Sequence, residues 1–186
     1  MAGESSETLS AATSTRGLVE IFTGEGKGKT SAALGAVIRA LGHGLRVYIV
    51  FFMKGDFPYG EQKILCQFPN CTVERFGFQE FVDPTNIKPE EMEEARKALE
   101  AARKAMLSLK YDVVILDEVN IAVAWKLINV NDVIKLVQKK PEKVELILTD
   151  RYADSKLIEL ADLVTDMVKV KHPFDKGILS RKGFEY

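Results

Sequence analysis

Apolar residues along this chain arrive in short, nearly unbroken runs, separated by stretches in which they recur every three or four positions. The runs fall at residues 18–22, 45–52, 72–76, 112–116, 144–149 and 164–170. Because they are continuous rather than alternating, they predict strands buried on both faces, the pattern of a parallel sheet. The intervening segments 30–41, 89–109, 130–139 and 153–161 carry helical spacing. Strand and helix in regular alternation predict an α/β fold, an open and mostly parallel sheet with helices on both faces. No internal repeat or interior linker interrupts the pattern. Residues 17–186 therefore read as one domain, preceded by a Ser/Thr/Ala-rich, flexible N-terminal extension over residues 1–16.

The helix expected over 89–109 is the most strongly marked. Pro89 suits a first helical position, Glu90, Glu91, Glu93 and Glu94 favour the positive end of the helix dipole, and Arg103, Lys104 and Lys110 fall near the other end. Its charges read as a solvated face.

Composition narrows the class of function. A chain of 186 residues suffices for a single hydrophobic core, and 46% hydrophobic with 28% charged residues is ordinary globular usage. Twenty-six Lys+Arg against 27 Asp+Glu leave a net charge of -1, without the basic excess of a nucleic-acid binder. The longest apolar runs are too short to span a bilayer, and the first residues lack the basic start and apolar stretch of a secretory signal. Cys66 and Cys71 match no zinc spacing and read as two free thiols of a reducing compartment, so a cytoplasmic location is expected.

The strongest chemical signal is Thr23-Gly24-Glu25-Gly26-Lys27-Gly28-Lys29-Thr30, which follows a strand and opens an apolar helix. Glycines let successive amides turn inward as a cradle for anionic oxygens, and a helix N-terminus adds unpaired donors and its dipole. Lys29 supplies a mobile cation, and the Thr30 hydroxyl is placed to ligate Mg²⁺. In the usual phosphate-loop spacing the first glycine would stand at Thr23. Here it is Gly24, so the loop is one residue tighter. The second signal is the strand Asp112-Val113-Val114-Ile115-Leu116-Asp117-Glu118, which carries paired carboxylates to the sheet's carboxyl edge, where open α/β sheets bind ligands. Either Glu118 or Asp117 could assist in holding Mg²⁺, a hard cation that prefers oxygen.

At these residues the chain resembles the ATP:corrinoid adenosyltransferases of the BtuR/CobO type. The resemblance covers the loop 23–30 with Ser31-Ala-Ala-Leu-Gly-Ala, then Phe52-Met-Lys-Gly55, Gly60-Glu61, Phe76-Gly-Phe78 and Val114-Ile-Leu-Asp-Glu118. It continues through Val170-Lys-His-Pro-Phe-Asp-Lys-Gly177 and ends at Arg181-Lys-Gly-Phe-Glu-Tyr186. It implies a RecA-like nucleotide fold, a homodimer, an electron donor for Co(II) reduction, and transfer of the 5′-deoxyadenosyl group of ATP to a Co(I) corrinoid with release of triphosphate. The cobalt is itself the nucleophile, so the protein's task is positioning and charge stabilisation.

Residue by residue, the resemblance implies that Gly24, Glu25, Gly26, Lys27, Gly28, Lys29, Thr30 and Ser31 hold the triphosphate, with Arg151 as a further phosphate contact. Lys29, Thr30 and Glu118 are the candidate catalytic groups, and Thr30, Asp117 and Glu118 the Mg²⁺ site. Phe78 and Phe81 would face the corrinoid, with His172 lining the site. Two departures stand out. Glu80 occupies the tryptophan position of the family's Gly-Phe-Thr-Trp, leaving Phe81 as the substitute aromatic. Thr149-Asp-Arg-Tyr152 replaces Thr-Gly-Arg-Gly, which is expected to alter the backbone and bring a carboxylate near the phosphates. Two other readings stay open at this point: a P-loop ATPase or nucleotide kinase acting at the γ-phosphate, and a non-catalytic ATP-gated corrinoid-binding protein.

Overall fold

Short, mostly apolar segments form a six-stranded sheet in a computed structural model that describes residues 16–186. The extension expected over residues 1–16 lies, apart from Arg16, outside them. The strands are β1 (Val19–Thr23), β2 (Val47–Phe51), β3 (Cys71–Arg75), β4 (Val113–Asp117), β5 (Glu145–Thr149) and β6 (Leu163–Asp166). They lie in the order β3-β2-β4-β5-β1-β6, and every pairing is parallel. The helices are α1 (Lys29–Gly42), α2 (Gly60–Leu65), α3 (Pro89–Leu107), α4 (Val119–Ala124), α5 (Val130–Gln138) and α6 (Ser155–Leu160), with a 3-10 turn at Pro173–Lys176.

Strand side chains alternate between two cores. On one face Tyr48, Val50, Val114, Leu116, Leu146 and Leu148 pack against Ala98, Ala102 and Met106 of α3 and Val133 and Leu136 of α5. On the other, Val47, Ile49, Phe51, Ile115 and Ile147 meet Ala33, Val37 and Leu41 of α1 and Leu65 of α2. This double covering explains why β2 and β4 are buried at every position. The alanines of α3 let that helix approach the sheet closely, while Glu93–Arg96, Glu94–Lys97 and Glu100–Arg103 pair along its outer face, as a solvated face should.

Two short helices, α2 and α4, escape the hydrophobic pattern, whereas α6, equally short, is marked by the longer periodic segment 153–161 around it. The last strand is shorter than the apolar run 164–170 suggests. Its final register pair is Thr23 with Asp166, after which β1 turns into the glycine loop and the regular ladder ends. The chain then crosses that loop. The Met167 amide donates to the Thr23 carbonyl at 2.8 Å, and the Gly26 amide donates to the Met167 carbonyl at 2.6 Å.

Candidate functional site

All parallel strands end on one side, so the segments leaving β1, β2, β4 and β5 converge above the carboxyl edge of the sheet. They enclose a cleft of about 680 Å³. From β1 come Gly26, Lys27, Gly28, Lys29, Thr30 and Ser31. Lys54 and Tyr59 follow β2, Glu118 follows β4, and Asp150 and Arg151 follow β5. His172 and the C-terminal residues Gly183 to Tyr186 complete the wall.

The loop meets the first turn of α1 through Gly28, at φ 123 the residue preceding the helix. The first-turn amides of Lys29, Thr30 and Ser31 have no carbonyl to bond within the helix and remain donors for an anion. Lys29 is buried, and its Nζ donates to the Gly26 carbonyl at 2.8 Å and lies 3.8 Å from Asp150 Oδ1. Burial pulls the ammonium below its ordinary pKa, and the Asp150 carboxylate opposes that pull.

Two of the glycines have a different reason from the cradle expected of them. A Cβ on Gly24, at φ 99, would stand 2.1 Å from Asp166 Oδ1 and 2.6 Å from the Met167 backbone; on Gly26 it would stand 2.6 Å from the Met167 carbonyl. Gly24 lies outside the cleft lining, and the Gly26 amide is spent on Met167. Both are glycines because another segment of chain lies against them. Glu25 is not among the residues that line the cleft, and its Oε2 lies 4.0 Å from Arg151 Nη1.

The carboxylate pair divides into two environments. Asp117 is 1% exposed. Its Oδ2 accepts from Lys54 Nζ at 2.6 Å, and its Oδ1 accepts from the Thr149 hydroxyl at 2.6 Å, so both oxygens are engaged below the cleft floor. Glu118, at φ 67, is turned upward, and its amide donates to Thr149 Oγ1. Its side chain is 22% exposed in the cleft wall, with Oε1 at 3.3 Å from Lys54 Nζ. Burial pushes the Glu118 carboxyl up to about 7, against the pull of Lys54. Burial alone would lower the Lys54 pKa, but Asp117 and Glu118 outweigh it and hold the ammonium well above its ordinary value.

Phe78 and Phe81 stand apart from the cleft lining, 44% and 81% exposed. The Phe81 ring is nonetheless 6.0 Å from that of Phe57, which lies 4.8 Å from Tyr59 and 5.2 Å from Tyr186, so an aromatic group borders the cleft mouth. His172 Nδ1 accepts from the Phe174 amide at 3.2 Å, capping the 3-10 turn while its ring lines the cleft. The turn after β5 does not relax to accommodate its non-glycine residues. Asp150 and Tyr152 sit at φ 89 and φ 60, in the left-handed region that glycine favours.

Sequence reasoning did not single out three contributors. Lys54 follows an apolar strand beside another ending in two acids, and a lysine there signals a counter-charge. Tyr59 left no signal. The C-terminal segment folds back over the phosphate loop: Lys27 Nζ donates to the Phe184 carbonyl at 2.9 Å and to Glu185 Oε1 at 2.7 Å, while Arg181 holds the same carboxylate. Arg181 and Lys27 bring the Glu185 carboxyl down to about 2.

Comparison with known proteins agrees with the chemistry of this cleft. Residues 15–186 match the family described as ATP:corrinoid adenosyltransferase BtuR/CobO/CobP. A corrinoid adenosyltransferase of Sinorhizobium sp is 35% identical over 94% of this chain and 82% of its own length. That of Escherichia coli (strain K12) is 33% identical over 92% of this chain and 86% of its own length. That of Pseudomonas aeruginosa is 34% identical, over 97% and 89% respectively.

Proposed function

The chain belongs to the ATP:corrinoid adenosyltransferase family, and from that membership we infer how its cleft performs ATP-dependent transfer of an adenosyl group to a corrinoid. The bond to be broken is C5′–O of ATP, and the leaving group is the whole triphosphate. The observation that carries this reading is the open first turn of α1 with Lys29 beneath it, in the same cleft as Lys54 and Glu118. The amides of Lys29, Thr30 and Ser31 grip the departing anion, while Lys29, with Lys27 and Arg151 at the margin, balances its growing charge. The nucleophile is the corrinoid's cobalt, reduced by an external electron donor, so the protein contributes orientation and exclusion of water. The aromatic group of Phe57, Tyr59, Phe81 and Tyr186 supplies a flat apolar border where a corrin ring could rest, with Phe78 beyond it.

The oxygen donors present suit Mg²⁺: the Thr30 hydroxyl and the accessible Glu118 carboxylate line one cleft, whereas Asp117, with both oxygens engaged, supports them from beneath. Bound there, Mg²⁺ would neutralise triphosphate charge. The homodimer finds support in the exposed apolar residues on and after the edge strand β6, namely Val164, Val168 and Val170. No helix among the described residues is long and apolar enough to cross a membrane, and use of ATP suits the cytoplasm.

Anaerobic incubation with ATP, Mg²⁺ and a chemically reduced corrinoid tests the reading. Triphosphate and an adenosylated corrinoid are the expected products, formed only when reduced cobalt is present. Release of ADP, with or without corrinoid, would point instead to γ-phosphate chemistry.

A further inference from the structure

We propose that Asp150 sets the affinity of the cleft for its nucleotide, because its carboxylate holds the position beside Lys29 that a triphosphate oxygen must take. The proposal rests on the reading of the cleft as the ATP site. Asp150 is the first residue after β5, and its backbone is fixed from two sides. Its amide donates to the Phe22 carbonyl at 3.1 Å, and its carbonyl accepts from Asn120 Nδ2 at 3.0 Å. Asn120 is fully buried, so this anchor cannot drift. With φ at 89 and Tyr152 at φ 60, the turn keeps two side-chain-bearing residues in a region that disfavours them, and such strain persists only where the surroundings enforce it. The outcome is a carboxylate aimed into the cleft: Oδ1 accepts from the Arg151 amide at 2.8 Å and stands 3.8 Å from Lys29 Nζ.

At that distance Asp150 acts on Lys29 by charge and not through a hydrogen bond. Lys29 spends one N–H on the Gly26 carbonyl and keeps two for a ligand. Both side chains are largely buried, 9% and 18% exposed, so water screens the interaction only partly. An arriving triphosphate gains Lys29 but must displace the Asp150 charge from it. The same repulsion acts in the other direction once the C5′–O bond is broken. The contacts that favour departure of the triphosphate would otherwise retain it, and Asp150 reclaims Lys29 as the anion leaves. Asp150 is thus an affinity-setting residue that speeds product release by weakening the grip of the loop.

The test is calorimetric titration of inorganic triphosphate, in the presence of Mg²⁺, into the full chain and four variants. Asp150→Asn removes the charge at constant size. Asp150→Gly removes it and adopts the left-handed backbone freely, so it folds even if the amide variant does not. Both should bind triphosphate about tenfold more tightly than the parent, the scale expected for one partly buried opposite charge removed from a competing position. Lys29→Ala should weaken binding, and in the Lys29→Ala/Asp150→Asn protein the gain should vanish, since the contested cation is gone. Unchanged or weaker binding in both Asp150 variants, or a gain that survives intact without Lys29, overturns the proposal and leaves the site reading standing. A parent chain that binds no triphosphate, or binds it equally well as Lys29→Ala, overturns the site reading together with the proposal.

Discussion

Replacing Lys54 by Met would keep an unbranched side chain of similar length in a fully packed position while deleting its charge. Lys54 is 4% exposed, bonds Asp117 at 2.6 Å and lies 3.3 Å from Glu118. Asp117 has no route to solvent at 1% exposure, so the variant leaves a buried carboxylate whose only remaining side-chain partner is the Thr149 hydroxyl. Removing one member of a buried ion pair costs about 3–5 kcal/mol, mostly the penalty of the orphaned charge and not the worth of the pair itself. For a domain of this size each kcal/mol moves the melting midpoint by a few degrees, so Lys54→Met should melt about 10 °C lower at neutral pH. The double variant Lys54→Met/Asp117→Asn should regain most of that loss, because the neutral amide can still accept from Thr149. Thermal unfolding followed by circular dichroism at neutral pH measures both. A single variant within about 1 kcal/mol of the parent, or a double variant no better than the single, would refute the electrostatic account of the floor of the cleft.

Three further outcomes follow. Lys29→Ala should cut adenosyl transfer by about a hundredfold or more while lowering the melting midpoint less than Lys54→Met does, since the Asp150 carboxylate it leaves behind keeps 18% of its surface exposed; steady-state turnover beside a melting curve checks both. Glu20 lies beside Glu145, and burial with that neighbour pushes its carboxyl from 4.5 up to about 7. A raised folded-state value means the contribution is fully present below pH 4.5 and is lost as pH rises through 7, so the parent should lose about 1–2 kcal/mol between pH 5 and 8 that Glu20→Gln does not, as read from urea unfolding at the two pH values. Gly24→Ala forces a Cβ to 2.1 Å from Asp166 Oδ1 and 2.6 Å from backbone at a φ of 99, and should destabilise the fold by about 2 kcal/mol or more even without nucleotide; an apo-protein melting curve unaffected by it would return Gly24 to a purely phosphate-binding role.

The sequence announced the sheet because central strands buried on two faces leave an unmistakable trace: Val47 to Phe51 and Val113 to Asp117 are apolar almost throughout. It announced the phosphate loop because the chemistry is local, eight successive residues between a strand and a helix. What it concealed was assembled from distant segments. Gly24 and Gly26 look like cradle glycines, yet the contact that requires them is with Met167, more than a hundred residues further on. Lys54 and Asp117, 63 residues apart, read as unrelated until β2 and β4 lie side by side, Phe51 against Asp117. The C-terminal motif could be quoted but not placed; only the folded chain brings Glu185 to Lys27.

The backbone at the carboxyl edge connects these cases. Gly24 follows β1 at φ 99, Met53 follows β2 at φ 53, Glu118 follows β4 at φ 67, and Asp150 follows β5 at φ 89. Each of the four neighbouring strands therefore ends in a left-handed reversal, and three of those reversals are made by residues for which that conformation costs about 1 kcal/mol or more. A reversal is what keeps a chain leaving the sheet from running straight into solvent: it folds Lys54, Glu118 and Asp150 back over the strand ends, where they share one cleft with Lys29. The cost is carried by the two apolar cores beneath, since burying a side chain such as Phe51 or Ile115 contributes about 1.5–3 kcal/mol each. The same parallel register that buries the strands aligns their ends, so this architecture can concentrate strain, charge and open helix amides at a single edge.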